Sequence, residues 1–466
     1  MKSHGTVVFI CEKYYLRFYR PLAERLFRSG FRPVWITVDG PDQWEFDYLD
    51  PGPVIEALVN AADLKCRPSI DELCTLERIA FERPDVFKNN YQFTTAVVRT
   101  LERARRLAEV WHRATLAFIT RFQPKAVFVW NGRYLPYSAV SAACAAAGQL
   151  MLTSEIGWLP GTIFLDQGPL SGGTTDLLGH GVESTSSADA ARVEAFLSDY
   201  TTLKATMVSQ TLVSPSAVRQ QLLGADGKFL LLYGCQVDWD TNVIIGARRF
   251  RSNESAVSFL LECMSAVPGA RLVVKTHPLD SEKNEAALQA IIGTQGTVVS
   301  DIHPHTLIEA ADCVSVRNST LGFETLCYRK PLLLLEHAKY RHDKLTLDAR
   351  DAADGAASLA RVAAKRCDLP DPAALQQFVL HVLDRYLVPV GYRYFFEPDK
   401  LGILSHLQRN QSFQALEQLL RRDASPPAVG ADDEVLRALE QSDFRHVGWR
   451  ASFFRKIRTL SRRTSD

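Results

Sequence analysis

The sequence predicts an α/β protein with two doubly wound domains facing a cleft, followed by C-terminal helices. Three observations carry that expectation. The chain opens on a strand–helix–strand pattern at residues 6–10, 18–29 and 31–38, the usual start of a doubly wound sheet. After a long helical stretch, a second series of short apolar runs begins at 229–233. In both series the runs end on polar residues, and the carboxyl ends of strands are where open α/β sheets hold their ligands.

Composition agrees with this. The 466 residues are 46% hydrophobic and 23% charged, an ordinary soluble balance, long enough for two full cores. A formal net charge of +1 gives no bulk attraction to nucleic acid, and no nucleic-acid partner is expected. The nine cysteines form no CxxC pair and no metal-ligand cluster in sequence, and several lie inside apolar runs, as small buried hydrophobes do. A reducing cytoplasm is the expected compartment. The apolar stretch within residues 1–10 is too short for a signal peptide. No run approaches the roughly 18 apolar residues of a membrane span, so membrane contact is expected only at the periphery.

Taken in order, residues 6–10 read as a strand, 18–29 as an amphipathic helix and 31–38 as a second strand. GxGxxG is absent, and with it the dinucleotide fingerprint. Residues 73–122 read as mostly helical, with an Arg-rich face. A strand at 126–130 ends on Asn131-Gly132-Arg133, an Ala-rich helix follows at 137–148, and a strand at 150–154 delivers Glu155 on the loop beyond it. Residues 186–223 read as helical, broken near Ser214-Pro215, and bridge the two halves. Strands are then expected at 229–233, 271–274, 297–299, 313–316 and 331–335, with a helix at 306–311 capped by Thr306. The expected division is an N-terminal α/β domain at 1–205, a C-terminal α/β domain at 206–390, and a helical region at 391–466. Residues 423–433 read as a loop. The tail at 445–463 mixes Trp449, Phe453, Phe454, Ile457 and Leu460 with many Arg and Lys. That pattern suits an anionic membrane surface, and it equally suits a terminal helix packed on the protein.

The polar residues that could carry chemistry sit at strand ends. Lys275-Thr276-His277-Pro278 and Asn318-Ser319-Thr320-Leu321-Gly322-Phe323-Glu324 each follow an apolar run. Together they offer a cation, an imidazole, hydroxyls, a glycine that permits close backbone approach, and a carboxylate about one helical turn on. That set suits a nucleotide, with cations and amides for phosphate and a carboxylate for ribose hydroxyls. Glu155 is placed to act as a general base, or as a helix cap. Asp238 and Asp240, after the strand at 229–233, admit three readings: attack on an electrophilic carbon, magnesium binding beside phosphates, or turn and N-cap chemistry. His277 suits a phosphate oxygen, whereas His303-Pro304-His305 reads as a helix start. Asp166 and Asn131-Gly132-Arg133 suit an acceptor or simply turns.

Glu155-x-Gly157, Gln236-x-x-x-Asp240, Lys275-x-His277-Pro278 and Ser319-x-x-Gly322-Phe323-Glu324, followed by Lys330-Pro331 and residues 340–346, occur in that order. The set resembles the capsule polysaccharide biosynthesis proteins that include the retaining β-Kdo transferases, over about residues 125–350. The resemblance implies a GT-B-like fold, two Rossmann-like domains facing a cleft, with CMP-β-Kdo as donor substrate, a lipid-linked or saccharide acceptor, and no metal or other cofactor. It implies double displacement, with Asp240 as the nucleophile and Glu155 as the catalytic carboxylate. It also implies that Lys275, His277, Pro278, Ser319, Thr320, Gly322 and Glu324, with Gln236, belong to the CMP-binding motifs. Asp238 competes with Asp240 for the nucleophile's role. Ile156 stands where some members carry Asp, and Trp158-Leu159-Pro160 differs from the members that polymerise Kdo. The C-terminal layout also resembles CDP-glycerol-type glycerophosphotransferases, which usually carry Asp-Tyr-Ser-Ser where this chain has Arg317-Asn318-Ser319-Thr320. A noncatalytic scaffold of a capsule assembly complex is a third reading, against which the presence of both Asp240 and Glu155 weighs.

Overall fold

Strand β1 (Thr6–Cys11) is apolar along its length because it lies inside a sheet, with Val7 to Cys11 fully buried. The computed structural model of the protein describes residues 4–38, 48–67, 69–82, 100–168, 185–204, 210–278, 280, 284–391, 398–422, 433–440 and 444–445. Around β1 are β2 (Arg32–Thr37), β3 (Tyr48–Leu49), β4 (Ala126–Trp130), β5 (Met151–Ile156) and β6 (Thr162–Gln167). The chain then builds a second sheet from β7 (Phe229–Gly234), β8 (Ala270–Lys275), β9 (Gly296–Val299), β10 (Cys313–Val316), β11 (Leu332–Leu334) and β12 (Leu347–Asp348). Two short strands, β13 (Val388–Pro389) and β14 (Phe444–Arg445), return to the first sheet.

The first sheet has the order β13-β6-β5-β4-β1-β2-β3-β14 and the second the order β12-β11-β10-β7-β8-β9. The pairings β1–β2, β1–β4, β2–β3 and β4–β5 are parallel, and so are all those of the second sheet. In each sheet the strand order reverses once, between β1 and β4 and between β7 and β10. Those reversals open crevices at the carboxyl ends of the strands. The expected α/β class with two doubly wound sheets is therefore the observed one.

Helices supply the covering layers, and their ends follow the local sequence. Helix Leu101–Phe122 starts where Thr100 accepts a hydrogen bond from the Arg103 amide, and it ends at Gln123 in the left-handed conformation. It buries Ala104, Leu107, Ala108, Val110 and Trp111 in the first core. Helix Ser187–Leu203, capped by Ser186, packs Val193, Phe196 and Leu197 into the second core. The helix expected at 306–311 instead spans Pro304–Ala310, with His303 as its cap: His303 Nδ1 accepts from the His305 amide at 3.2 Å. Proline is already suited to the first helical position, so the start lies two residues earlier than Thr306.

Three features tie the two lobes together. The β5–β6 hairpin belongs to the first sheet, yet Leu159 and Phe164 are buried in the second core. At the hairpin tip Trp158 stacks on Phe323 at 4.8 Å and meets Phe164 at 5.0 Å, Tyr340 at 5.9 Å, and Phe378 and Tyr386 at 6.0 Å between ring centres. Strand β13 pairs antiparallel with β6, and helix Ser412–Arg421 buries Phe413, Leu416 and Leu420 in the first core. The path thus departs from a contiguous division at 205 and 390. Of the loop expected at 423–433, residues 423–432 lie outside the described residues and Asp433 begins a helix; of the basic aromatic tail at 445–463, only Arg445, in β14, lies within them. Among the described residues no helix is long and apolar enough to cross a membrane.

Candidate functional site

Glu155 is the penultimate residue of β5, not part of a loop beyond it. The strand runs longer than the apolar run suggested because β6 folds back on it, pairing Glu155 with Phe164 and Thr153 with Asp166. The reversal is tight. A Cβ on Gly157 would lie 2.1 Å from Thr162 Oγ1, so only glycine fits there. Glu155 keeps part of its surface open to solvent.

Asn131, at the end of β4, takes the left-handed conformation (φ 59°) before Gly132 (φ 76°), a backbone Asn tolerates better than most residues. Its side chain does more than turn the chain. Asn131 Nδ2 donates to Glu155 Oε1 at 2.6 Å and to Thr241 Oγ1 at 2.9 Å. Thr241 follows Asp240 in the second lobe, so one amide joins the two candidate carboxylates' surroundings across the seam. Burial, reinforced by the nearby Asp240 carboxylate, pushes the Glu155 carboxyl up to about 7, while Asn131 and the Lys339 ammonium restrain the rise. A carboxyl with a pKa near ambient pH suits proton transfer.

Asp240 caps helix Thr241–Gly246, its Oδ1 accepting from the Asn242 amide at 2.7 Å. The Asn242 side chain also lies against this carboxylate. Burial raises its carboxyl above the usual range, held back by Asn242 and by the Arg317 charge. Asp238 turns the other way. Its Oδ1 accepts from Arg317 Nη2 at 2.9 Å, and the Arg317 side chain is fully buried. Arg317 also donates to the carbonyls of Gln236 (3.1 Å) and Phe250 (3.3 Å) and to Asn253 Oδ1 (3.0 Å). The two aspartates therefore diverge, and Asp238 is occupied in holding the loop. Among the described residues no group of three His, Cys, Asp or Glu side chains is placed to hold a metal ion.

The nucleotide-motif residues divide between the crevice and its supports. Gln236, after β7, exchanges two hydrogen bonds with Asn318, after β10: Nε2 donates to Asn318 Oδ1 at 2.8 Å and Oε1 accepts from the Asn318 amide at 3.1 Å. Asn318 Nδ2 in turn donates to the Asn242 carbonyl at 3.0 Å. This lattice spans the reversal between β7 and β10. Lys275 is buried, and its ammonium donates to the carbonyls of Ser300 (2.5 Å) and Thr276 (3.2 Å). Burial and that neighbouring charge push the His277 imidazole down to about 4, so it is neutral at pH 7. Pro278 is exposed just beyond it.

Thr320 is the cap residue of helix Leu321–Cys327 but makes no side-chain cap bond. Ser319 Oγ accepts from the Leu321 amide at 3.3 Å, and the Ser319 carbonyl accepts from Tyr340 Oη at 2.6 Å. The small size of Gly322 has an internal cause, since a Cβ there would lie 2.2 Å from Tyr340 Oη. Glu324 faces inward, its Oε2 3.3 Å from His305 Nε2. Thr241, Asn253, Lys339 and Tyr386 carry no motif in the sequence, yet they support the site. Lys339 pairs with Asp166 across the lobes, and Tyr386 Oη donates to Asp166 Oδ1 at 3.2 Å.

Comparison with known proteins gives a family match over part of the chain. Residues 187–367 match the family described as capsule polysaccharide biosynthesis protein. The chain thus resembles that family, as its motifs implied. The match takes in Gln236, Asp240, Lys275, His277 and Ser319 to Glu324, and begins after Glu155. Among solved structures, the chain is similar to the Thermosulfurimonas dismutans KpsC β-Kdo 2,7 transferase at 14% identity and a TM-score of 0.42, covering 85% of this chain and 97% of that one. The corresponding β-Kdo 2,4 transferase of the same organism gives 17% identity and 0.38, covering 55% and 79%. A UDP-GlcNAc 2-epimerase from Neisseria meningitidis gives 11% and 0.35, covering 90% and 100%. No curated protein sequence matches the chain.

Proposed function

We propose that this chain is a retaining glycosyltransferase that moves Kdo, or a related keto-sugar, from a CMP-sugar to a lipid or saccharide acceptor in capsule or surface polysaccharide biosynthesis. One observation carries the reading: Glu155 from the first sheet and Asp240 from the second meet at one seam, linked through Asn131 and Thr241. In this reading Asp240 attacks the anomeric carbon, the bond from that carbon to the phosphate oxygen breaks, and CMP leaves. Glu155 then takes the proton of an acceptor hydroxyl as its oxygen attacks the same carbon and releases Asp240. Two displacements at one carbon give net retention. CMP is a good leaving group, so the protein supplies charge stabilisation at the phosphate more than an acid. His277 and the Ser319-Thr320 loop lie after β8 and β10, the two neighbours of the strand that delivers Asp240. The reading assigns the reaction to the cytoplasm and assigns residues 445–463 to an anionic membrane surface, and it requires no metal.

The test is CMP release by the full chain given CMP-β-Kdo and a panel of lipid and saccharide acceptors. Acceptor-dependent release is expected, with Asp240→Asn and Asp240→Ala each slower by at least about a thousandfold. Undiminished turnover in both variants removes Asp240 as nucleophile. Consumption of CDP-glycerol with CMP-β-Kdo ignored replaces the reading with glycerophosphotransfer.

A further inference from the structure

Lys339 lies just after β11, in the second lobe, yet its ammonium reaches the β5–β6 hairpin of the first. There it pairs with Asp166 and donates to Tyr386 Oη at 2.7 Å. It also sits 5.1 Å from the ring centre of Phe164 and 5.5 Å from that of Tyr386. Phe164 is the cross-strand partner of Glu155, and Asp166 is the partner of Thr153. Side chains two apart on a strand share a face, and directly opposed residues lie side by side. The ammonium is therefore held over the same face of the hairpin that presents Glu155. Only 12% of the Lys339 side chain and 9% of the Asp166 side chain is exposed, so the charge is poorly screened by solvent.

We propose that Lys339 is a positioning residue for Glu155: it reaches across the seam, lies over the hairpin, and favours the charged, proton-accepting form of that carboxylate when the lobes are docked. The inference rests on the reading of Glu155 as the base. It adds that the partner lobe takes part in setting the base, burial at the seam and Asp240 raising its carboxyl and Lys339 opposing them. Among the described residues, Asn131 from the end of β4, Asp240 from the loop after β7, Lys339 from the loop after β11 and Tyr19 from helix Leu16–Arg28 bear on the Glu155 carboxyl. Asp166 on β6 acts through Lys339. Of these, Lys339 is the one cation, and it opposes Asp240.

The experiment reads the carboxyl itself and needs no donor or acceptor. The full chain is labelled with ¹³C at the glutamate δ-carbon, and the Glu155 signal is assigned by its loss in Glu155→Gln. The wild-type titration midpoint is then compared with those of Lys339→Met and Asp166→Asn. Lys339→Met is expected to raise the midpoint by about one pH unit, since it removes a nearby opposite charge. Asp166→Asn breaks the same interlobe pair but leaves the lysine's charge less compensated, so it is expected to lower the midpoint. A residue that merely held the lobes together would not give opposite signs in the two variants. Midpoints that stay fixed, or move the same way in both, overturn the proposal. Its fate is separate from that of the base: turnover undiminished in Glu155→Gln removes the base reading, while loss of turnover in that variant beside fixed midpoints removes only Lys339.

Discussion

At Asp238 the carboxylate meets an arginine with no exposed side chain, while at Asp240 it meets a backbone amide. The consequences of substitution follow. Asp238→Asn leaves the Arg317 guanidinium buried beside an uncharged group. The expected cost is about 3 kcal/mol, at the low end for a broken buried pair because a quarter of the Asp238 side chain is exposed. Asp240→Asn replaces one good cap with another, and stability should change by no more than about 0.5 kcal/mol. Urea unfolding of the two variants checks this. A larger loss in Asp240→Asn than in Asp238→Asn would contradict the assignment of Asp238 to holding the loop.

The β5–β6 hairpin and the loop that follows β10 show how elements set the site. Gly322 lies in the first turn of helix Leu321–Cys327 under the Tyr340 hydroxyl, and that hydroxyl anchors the Ser319 carbonyl. Gly322→Ala should cost about 1–3 kcal/mol through overpacking, and Tyr340→Phe about 1 kcal/mol through the lost hydrogen bond. Thermal melts of both variants test the order. The strands legible in the sequence, β1, β2, β4, β5 and β7 to β11, have local apolar runs; most of these are largely buried, while β9 is a half-buried edge strand. Those not read out, β3, β6 and β12 to β14, are two residues long or, like Thr162–Gln167, mix polar and apolar positions. Their pairing is decided by distant chain. The site divides the same way. Glu155, Asp240 and the His277 and Ser319 loops stood out as polar residues at strand ends. Arg317, Lys339 and Tyr386 did not, because each finds its partner far along the sequence, with 173 residues separating Lys339 from Asp166.

For the whole molecule, the seam between the lobes depends on Trp158, whose ring is surrounded by Phe164, Phe323, Tyr340, Phe378 and Tyr386. Trp158→Ala empties that socket at an expected cost of about 3–5 kcal/mol. Because the loss falls between lobes that each have a core, scanning calorimetry should resolve two transitions in the variant, whereas one transition at an unchanged temperature would contradict this role. The return of the chain to its first sheet bears on synthesis as well. Strand β13 and helix Ser412–Arg421 complete a core begun at Thr6, and β14 pairs with β3. A ribosome that has delivered the whole of the second sheet has therefore not yet delivered the segments that close the first. The amino-terminal half must wait, its margins bare, for the last residues to emerge, and vectorial folding of this protein finishes where it started.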